Sequence, residues 1–152
     1  MSRPDVDPLR ELLHRALVRY LTVRPGGFEL QPGAPLRQSV ETRILGYGGA
    51  RTLYDNRKPT CRSLDGVQPL TGDRTRTCAD CPQRPRCTPQ VRVDLIAERR
   101  PFRLLLAHTA AKAFLVYEAQ LRERRVAIED VVTAITVIDR GSWGELRFST
   151  RD

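Results

Sequence analysis

Four cysteines carry the most evident chemistry in this chain. Cys61, Cys78, Cys81 and Cys87 fall within 27 residues, in the spacing C-x16-C-x2-C-x5-C. Cys78 and Cys81 form a knuckle whose two sulfurs can grip one tetrahedral ion, and Cys61 and Cys87 would complete a four-thiolate site. A pair of structural disulfides is the poorer expectation for a chain read as intracellular, where thiols stay reduced. A redox CxxC of the thioredoxin kind fits poorly, because no strand leads into it and no clear helix follows. Between Thr60 and Pro89 the apolar residues are few, chiefly Leu64, Val67 and Leu70. A metal would supply the cohesion that a core normally provides. Zinc is the first expectation and a [4Fe–4S] cluster the second; spacing alone does not separate them.

Charge gathers around the same residues. The chain has 152 residues, 26 Lys+Arg against 18 Asp+Glu, and a formal net charge of +8. Only Lys58 and Lys112 are lysines; the other basic residues are arginines, which suit phosphate forks and stacking on bases. A GC-rich genome would produce the same arginine excess. From Arg51 to Arg103 there are 12 basic and six acidic residues, so most of the surplus surrounds the cysteines. Four thiolates on a zinc dication, or on a dicationic cluster, carry a formal charge of about −2. Arg62, Arg74, Arg76, Arg84 and Arg86 would offset that charge locally, and what remains points to an anionic partner.

The elements that must hold these residues follow from periodicity. Asp7 and Pro8 suit the start of a helix, and Leu9, Leu12, Leu13, Ala16, Leu17, Tyr20 and Leu21 follow its spacing until Pro25-Gly26-Gly27. Residues 38–45 alternate, with Val40, Thr42 and Ile44 on one face, before Gly46-Tyr47-Gly48-Gly49 bends the chain. Residues 90–107 read as a hairpin turning at Arg99-Arg100-Pro101. A helix capped by Thr109 then runs to about Arg125. Residues 131–138 and 145–150 read as two further strands, joined by a turn that carries Trp143, the only tryptophan.

Leaving the first helix aside, this order matches a five-stranded OB-like barrel, with its helix between the third and fourth strands. The predicted class is therefore α+β, mainly β. A four-cysteine metal-knuckle insertion at 54–89 would lie between barrel strands 1 and 2, and an N-terminal amphipathic helix would precede the barrel. The predicted organisation is residues 1–27 as helix and linker and 28–152 as barrel. In such a barrel the cysteine loop and the Trp143 turn would flank one groove. Arg140, Trp143 and Arg147 would form one wall, and Tyr47, Arg51, Tyr54, Arg57 and Lys58 the other, beside the knuckle. A basic groove with aromatic faces binds single strands, each stacked base contributing about 1–3 kcal/mol.

Two families share these motifs. The stretch CRSLDGVQPL…CADCPQRPRC, followed by PFRLLLAHTAAKAFLVYEAQLR and VVTAITVI, resembles small zinc-containing single-strand-binding-like proteins of phages and mobile elements, over roughly residues 43–150. That resemblance implies an OB core, single-stranded DNA as ligand, and metal ligation by Cys61, Cys78, Cys81 and Cys87; it identifies no base-contacting residue. The cysteine spacing and Gly141-Ser142-Trp143-Gly144 are also similar to WhiB-type iron–sulfur regulators. The departure is that this turn begins 54 residues past Cys87, whereas that family places it soon after the last cysteine.

Three function classes follow: a nucleic-acid-binding module for single strands, an iron–sulfur regulator, and an adaptor docking a protein partner through the N-terminal helix. Oligomers are compatible with all three. An enzyme is not expected. His14 and His108 are the only histidines, no nucleophile–base set or phosphate loop stands out, and four thiolates leave a metal no open position. No apolar run approaches a membrane span and the first residues lack a signal core, so a cytoplasmic location without membrane contact is expected.

Overall fold

The computed structural model describes residues 18–70 and 77–151. The chain is mainly β. Its strands are β1 (Arg19–Tyr20), β2 (Thr22–Arg24), β3 (Gly27–Glu29), β4 (Ser39–Asp55), β5 (Lys58–Ser63), β6 (Thr88–Ala97) and β7 (Arg100–Ala107). One helix, α1 (His108–Glu123), separates these from β8 (Val132–Asp139) and β9 (Gly144–Arg151). The main sheet runs β1-β7-β6-β4-β8-β9, and β5 pairs with β4 outside that path. Among the described residues no helix is long and apolar enough to cross a membrane.

β4 organises the sheet. Its 17 residues are enough for two neighbours on one edge. Ser39–Arg43 pair with β8, and Arg51–Asp55 pair with β5. β6 runs along the other edge from Thr42 to Thr52. A register shift lies between Ile44 and Gly46. Before it Val40, Thr42 and Ile44 are buried; after it Tyr47 packs on the same core. Such an irregularity exchanges the faces of an alternating strand.

The hairpin β6–β7 follows the predicted alternation. Val93, Leu95 and Ala97 are buried from one strand and Phe102, Leu104 and Leu106 from the other. Its turn is Glu98-Arg99, both at positive φ, as a two-residue hairpin loop requires. α1 buries Phe114, Tyr117 and Leu121. Phe148 of β9 lies 5.5 Å from the Phe114 ring, edge on, and 6.2 Å from Tyr117, stacked. The Tyr117 hydroxyl is matched by Thr133 Oγ1 at 2.9 Å, so its burial leaves no polar group wanting.

The barrel expectation is overturned. A closed barrel would need β9 to pair along β7. Instead β1 takes the outer edge of β7 in parallel, Arg19 facing Phe102 and Tyr20 facing Arg103, and Leu21 N–H donates to Arg103 O at 2.9 Å. β9 pairs with β8 alone, and the sheet stays open. α1, packed against both β9 and β7, covers the core between them.

The N-terminal helix is corrected as well. Residues 1–17 lie outside those described, and the continuation over 18–24 is extended. Tyr20 and Leu21 sit in a helical stripe by spacing, but Leu21 and Val23 also alternate, and that pattern prevails beside β7. Pro25-Gly26 is the turn between β2 and β3. Leu21 belongs to the same core as Phe28, Leu30 and the later strands.

Gly27 is fixed by close approach. Its φ is +142°, and a Cβ there would stand 2.6 Å from the Arg37 carbonyl oxygen, beside the Phe28–Arg37 bridge. Gly27→Ala is expected to lower stability by about 1–3 kcal/mol in urea unfolding; an unchanged midpoint would contradict this packing.

Candidate metal centre and its basic surroundings

The cysteines gather around the far half of β4. Cys61 lies on β5 opposite Leu53. Cys87 immediately precedes β6, whose Thr88 faces Thr52. The two cysteines therefore flank β4 at neighbouring levels, one on each side. Cys78 opens a short 3-10 turn, Cys78–Asp80, and Arg84–Arg86 form a second. Cys81 N–H donates to Cys78 O at 3.3 Å, Arg84 N–H to Cys81 O at 3.1 Å and Cys87 N–H to Arg84 O at 3.1 Å. Three successive turns thus carry the chain from the knuckle to β6. Cys78 N–H also reaches Val67 O at 2.7 Å, tying the knuckle to the loop after β5.

All four cysteines are half-buried and none is in a disulfide. Burial pushes the Cys87 thiol up, the Arg51 cation pulls it down, and the neighbouring thiols of Cys81 and Cys61 push it up again. Cys61 and Cys81 thus lie near enough to Cys87 for their charges to act on it. Among the described residues no set of three or more ligating side chains is already drawn close enough to hold an ion. The segment around them is short of other cohesion. No apolar side chain described between Asp55 and Pro89 is buried, and Val67 and Leu70 are 53% and 45% exposed.

The loop 64–70 is held by polar contacts. Asp65 Oδ1 accepts Val67 N–H at 2.8 Å, Gln68 N–H at 2.9 Å and the Ser63 hydroxyl at 3.0 Å. Gly66, at φ +74°, turns the chain so that a Cβ there would meet the Gly49 backbone at 3.7 Å. Arg92 reaches from β6 to the Leu64 carbonyl. Arg92 Nε lies 3.3 Å from Asp94 Oδ2 but too poorly aligned for a hydrogen bond, and Arg103 Nε donates to Asp94 Oδ1 at 2.9 Å.

The predicted nucleic-acid residues separate into groups. Arg57 and Lys58, at the β4–β5 turn, and Arg84 and Arg86, on the second 3-10 turn, are exposed around the cysteines. Tyr54 is 39% exposed nearby, its hydroxyl accepting Gln90 Nε2 at 3.3 Å. Arg62 is partly covered: its guanidinium lies 4.8 Å over the Tyr20 ring and its Nε 3.4 Å from Thr52 Oγ1. Arg51 is turned inward, Nη2 donating to Arg84 O at 3.3 Å while Nε is buried without a hydrogen-bond partner. Arg74 and Arg76 lie outside the described residues.

Tyr47 does not join the others. Its ring meets Phe114 edge on at 5.3 Å, and burial together with Glu118 beside its hydroxyl pushes its ionisation up. The second wall lies elsewhere. Trp143 is 46% exposed on the β8–β9 turn, but Arg140 and Arg147 both bond Glu145, at 2.9 and 3.3 Å, and Arg140 holds that carboxyl below the usual range. β8 meets β4 at Ser39–Arg43, whereas the cysteines flank Thr52 and Leu53. The two loops flank different ends of β4. The groove expected between them is corrected to two separate features. Tyr20 and Arg92 were missed as neighbours of the basic region. Tyr20 was read within a helical stripe and Arg92 as the solvated side of a strand.

No family model matches this chain, and no curated protein or solved structure matches it either.

The Gln68 and Val67 backbone N–H groups, with the Ser63 hydroxyl and its own backbone N–H, hold the Asp65 carboxyl below the usual range. Its contribution to stability is therefore present above the ordinary aspartate pKa and is lost as pH falls through the lowered value. Asp65→Ala should lower stability modestly near neutral pH, since the carboxyl is solvent-exposed and screened, and the gap from the parent should close in strong acid. A gap of constant size in urea titrations across pH would contradict this role.

Proposed function

We propose that this chain is a nucleic-acid-binding module whose basic loops are stapled by a four-cysteine metal centre. Its ligand on this reading is single-stranded nucleic acid, DNA first, and its metal is zinc. The observation that carries the proposal is the composition of the far half of β4. A segment without a buried apolar side chain carries all four cysteines, each half-buried, and presents Arg57, Lys58, Arg84 and Arg86 to solvent. The metal would hold the turns; the arginines and Lys58 would meet phosphates, and Tyr54 would offer a face to a base.

A single strand fits better than a duplex. Reading a major groove takes a helix or ribbon with basic residues presented to it. α1 packs Phe114, Tyr117 and Leu121 inward and presents Leu115 and Val116 outward, and what favours a single strand over the β4–β5 ribbon entering a duplex is the half-exposed Tyr54 ring beside the cations, a face for an unpaired base.

Protein purified without oxygen should be colourless and contain one zinc per chain. A brown protein containing iron would instead favour the iron–sulfur regulator. Cys78→Ser with Cys81→Ser should abolish the metal content.

Labelled oligo(dT) should bind at low salt and weaken steeply as salt rises, since phosphate contacts release counterions. Arg57→Glu with Lys58→Glu should weaken binding by about tenfold or more, whereas Trp143→Phe should leave it unchanged. Absence of binding at low salt would overturn the function, and loss of binding with Trp143→Phe alone would overturn the location.

A further inference from the structure

We propose that Tyr20 is a second base-stacking residue of the single-strand surface, tied to Tyr54 through a polar chain that begins at Arg62. This inference rests on the nucleic-acid reading above.

Tyr20 reaches this surface because β1 lies on the outer edge of β7. Its partner in the register is Arg103, and the next residue, Leu21, is 5% exposed and belongs to the core. Successive side chains of an extended chain point to opposite faces, so Tyr20 stands on the face away from the core. Arg103 and Asp94 share that face, since Phe102, Leu104, Val93 and Leu95 beside them are buried. Arg103 Nε donates to Asp94 Oδ1 at 2.9 Å, so that cation is countered within the sheet. The cation on the Tyr20 ring comes from β5 instead: Arg62 Cζ lies 4.8 Å from the ring centroid. Tyr20 is still 42% exposed.

Arg62 also donates from Nε to Thr52 Oγ1 at 3.4 Å. Thr52 Oγ1 donates to Gln90 Oε1 at 2.6 Å, and Gln90 Nε2 donates to the Tyr54 hydroxyl at 3.3 Å. Thr52 and Gln90 are buried and satisfy one another. An unbroken set of contacts thus runs from the Tyr20 ring to the Tyr54 hydroxyl, and both tyrosines end at the surface. The exposed part of an aromatic ring contributes nothing to folding through burial. Exposed rings held in place beside cations are what a sequence-tolerant platform for bases requires. A guanidinium over the ring fixes its orientation and adds a cation–π contact to the stack. Tyr20 and Tyr54 would then take two bases of one strand, with Arg57 and Lys58, on the turn after Tyr54, at its phosphates.

Oligo(dT) and an abasic oligonucleotide of the same length, titrated at low salt into the full chain, separate this claim from the one beneath it. If the parent binds neither, the nucleic-acid reading falls and this proposal with it. The parent should bind oligo(dT) more tightly than the abasic strand. Tyr20→Leu should weaken oligo(dT) binding by about tenfold and leave the abasic strand unchanged, because losing the ring removes stacking and no phosphate contact. Tyr20→Phe should bind both as the parent does. In a Trp143→Phe background, the fluorescence of Tyr20→Trp should be quenched by oligo(dT) and not by the abasic strand; if Tyr20→Leu does not fold, this quench decides. Undiminished oligo(dT) affinity in Tyr20→Leu, or an unquenched Tyr20→Trp variant that still binds, would overturn the role of Tyr20 while leaving the nucleic-acid reading standing. So would an equal loss for both strands in Tyr20→Leu, because that pattern belongs to a residue of the scaffold.

Discussion

β4 has to satisfy three ladders at once. β6 holds one edge from Thr42 to Thr52, and the other edge is divided between β8 at Ser39–Arg43 and β5 at Arg51–Asp55. The irregularity between Ile44 and Gly46 lets a single strand serve both regions, because it changes which side chains face the core. A slip of one residue beyond that point would turn Leu53 and Arg51 to the opposite face and separate them from the cysteines at their level.

The two halves of β4 are stabilised by different means. The first half lies on a core that includes Phe28, Phe102, Phe114, Ile44 and Ile135, all essentially without solvent exposure. The second half buries Ala50 and Thr52, the latter donating to Gln90 Oε1 at 2.6 Å, and is otherwise held by hairpin hydrogen bonds, 3-10 turns, the Asp65 carboxyl and half-buried thiols. Burial of apolar area is the dominant stabilising term in folding, so the cysteine end is where local opening costs least. A metal–thiolate centre is the chemistry that compensates for such a deficit in a small segment.

Much of this was legible in the chain. Val91 to Ala97 and Phe102 to Leu106 alternate strictly, and a half-buried hairpin is the structure that period 2 requires. The stripe Phe114, Tyr117 and Leu121 likewise produced α1. The register around Leu53 and Thr52 sets Cys61 and Cys87 on the two sides of one strand, an arrangement the cysteine spacing does not itself specify. What was not legible is non-local. Leu21 and Val23 satisfy helical and alternating patterns alike, and only the free edge of β7 decides between them. Barrel closure depended on the same edge, which β1 occupies. The inward turn of Arg51 has no signal in composition either; a charge count gives the number of arginines and not the direction in which any of them points.

The central claim is that a metal centre organises the basic surface. Oligo(dT) affinity of the zinc-loaded protein, compared at low salt with that of the same preparation stripped by a chelator and then reloaded, tests it most directly. The account predicts binding that falls by about tenfold or more on stripping and returns with zinc. Equal affinity in the loaded and stripped states would contradict it.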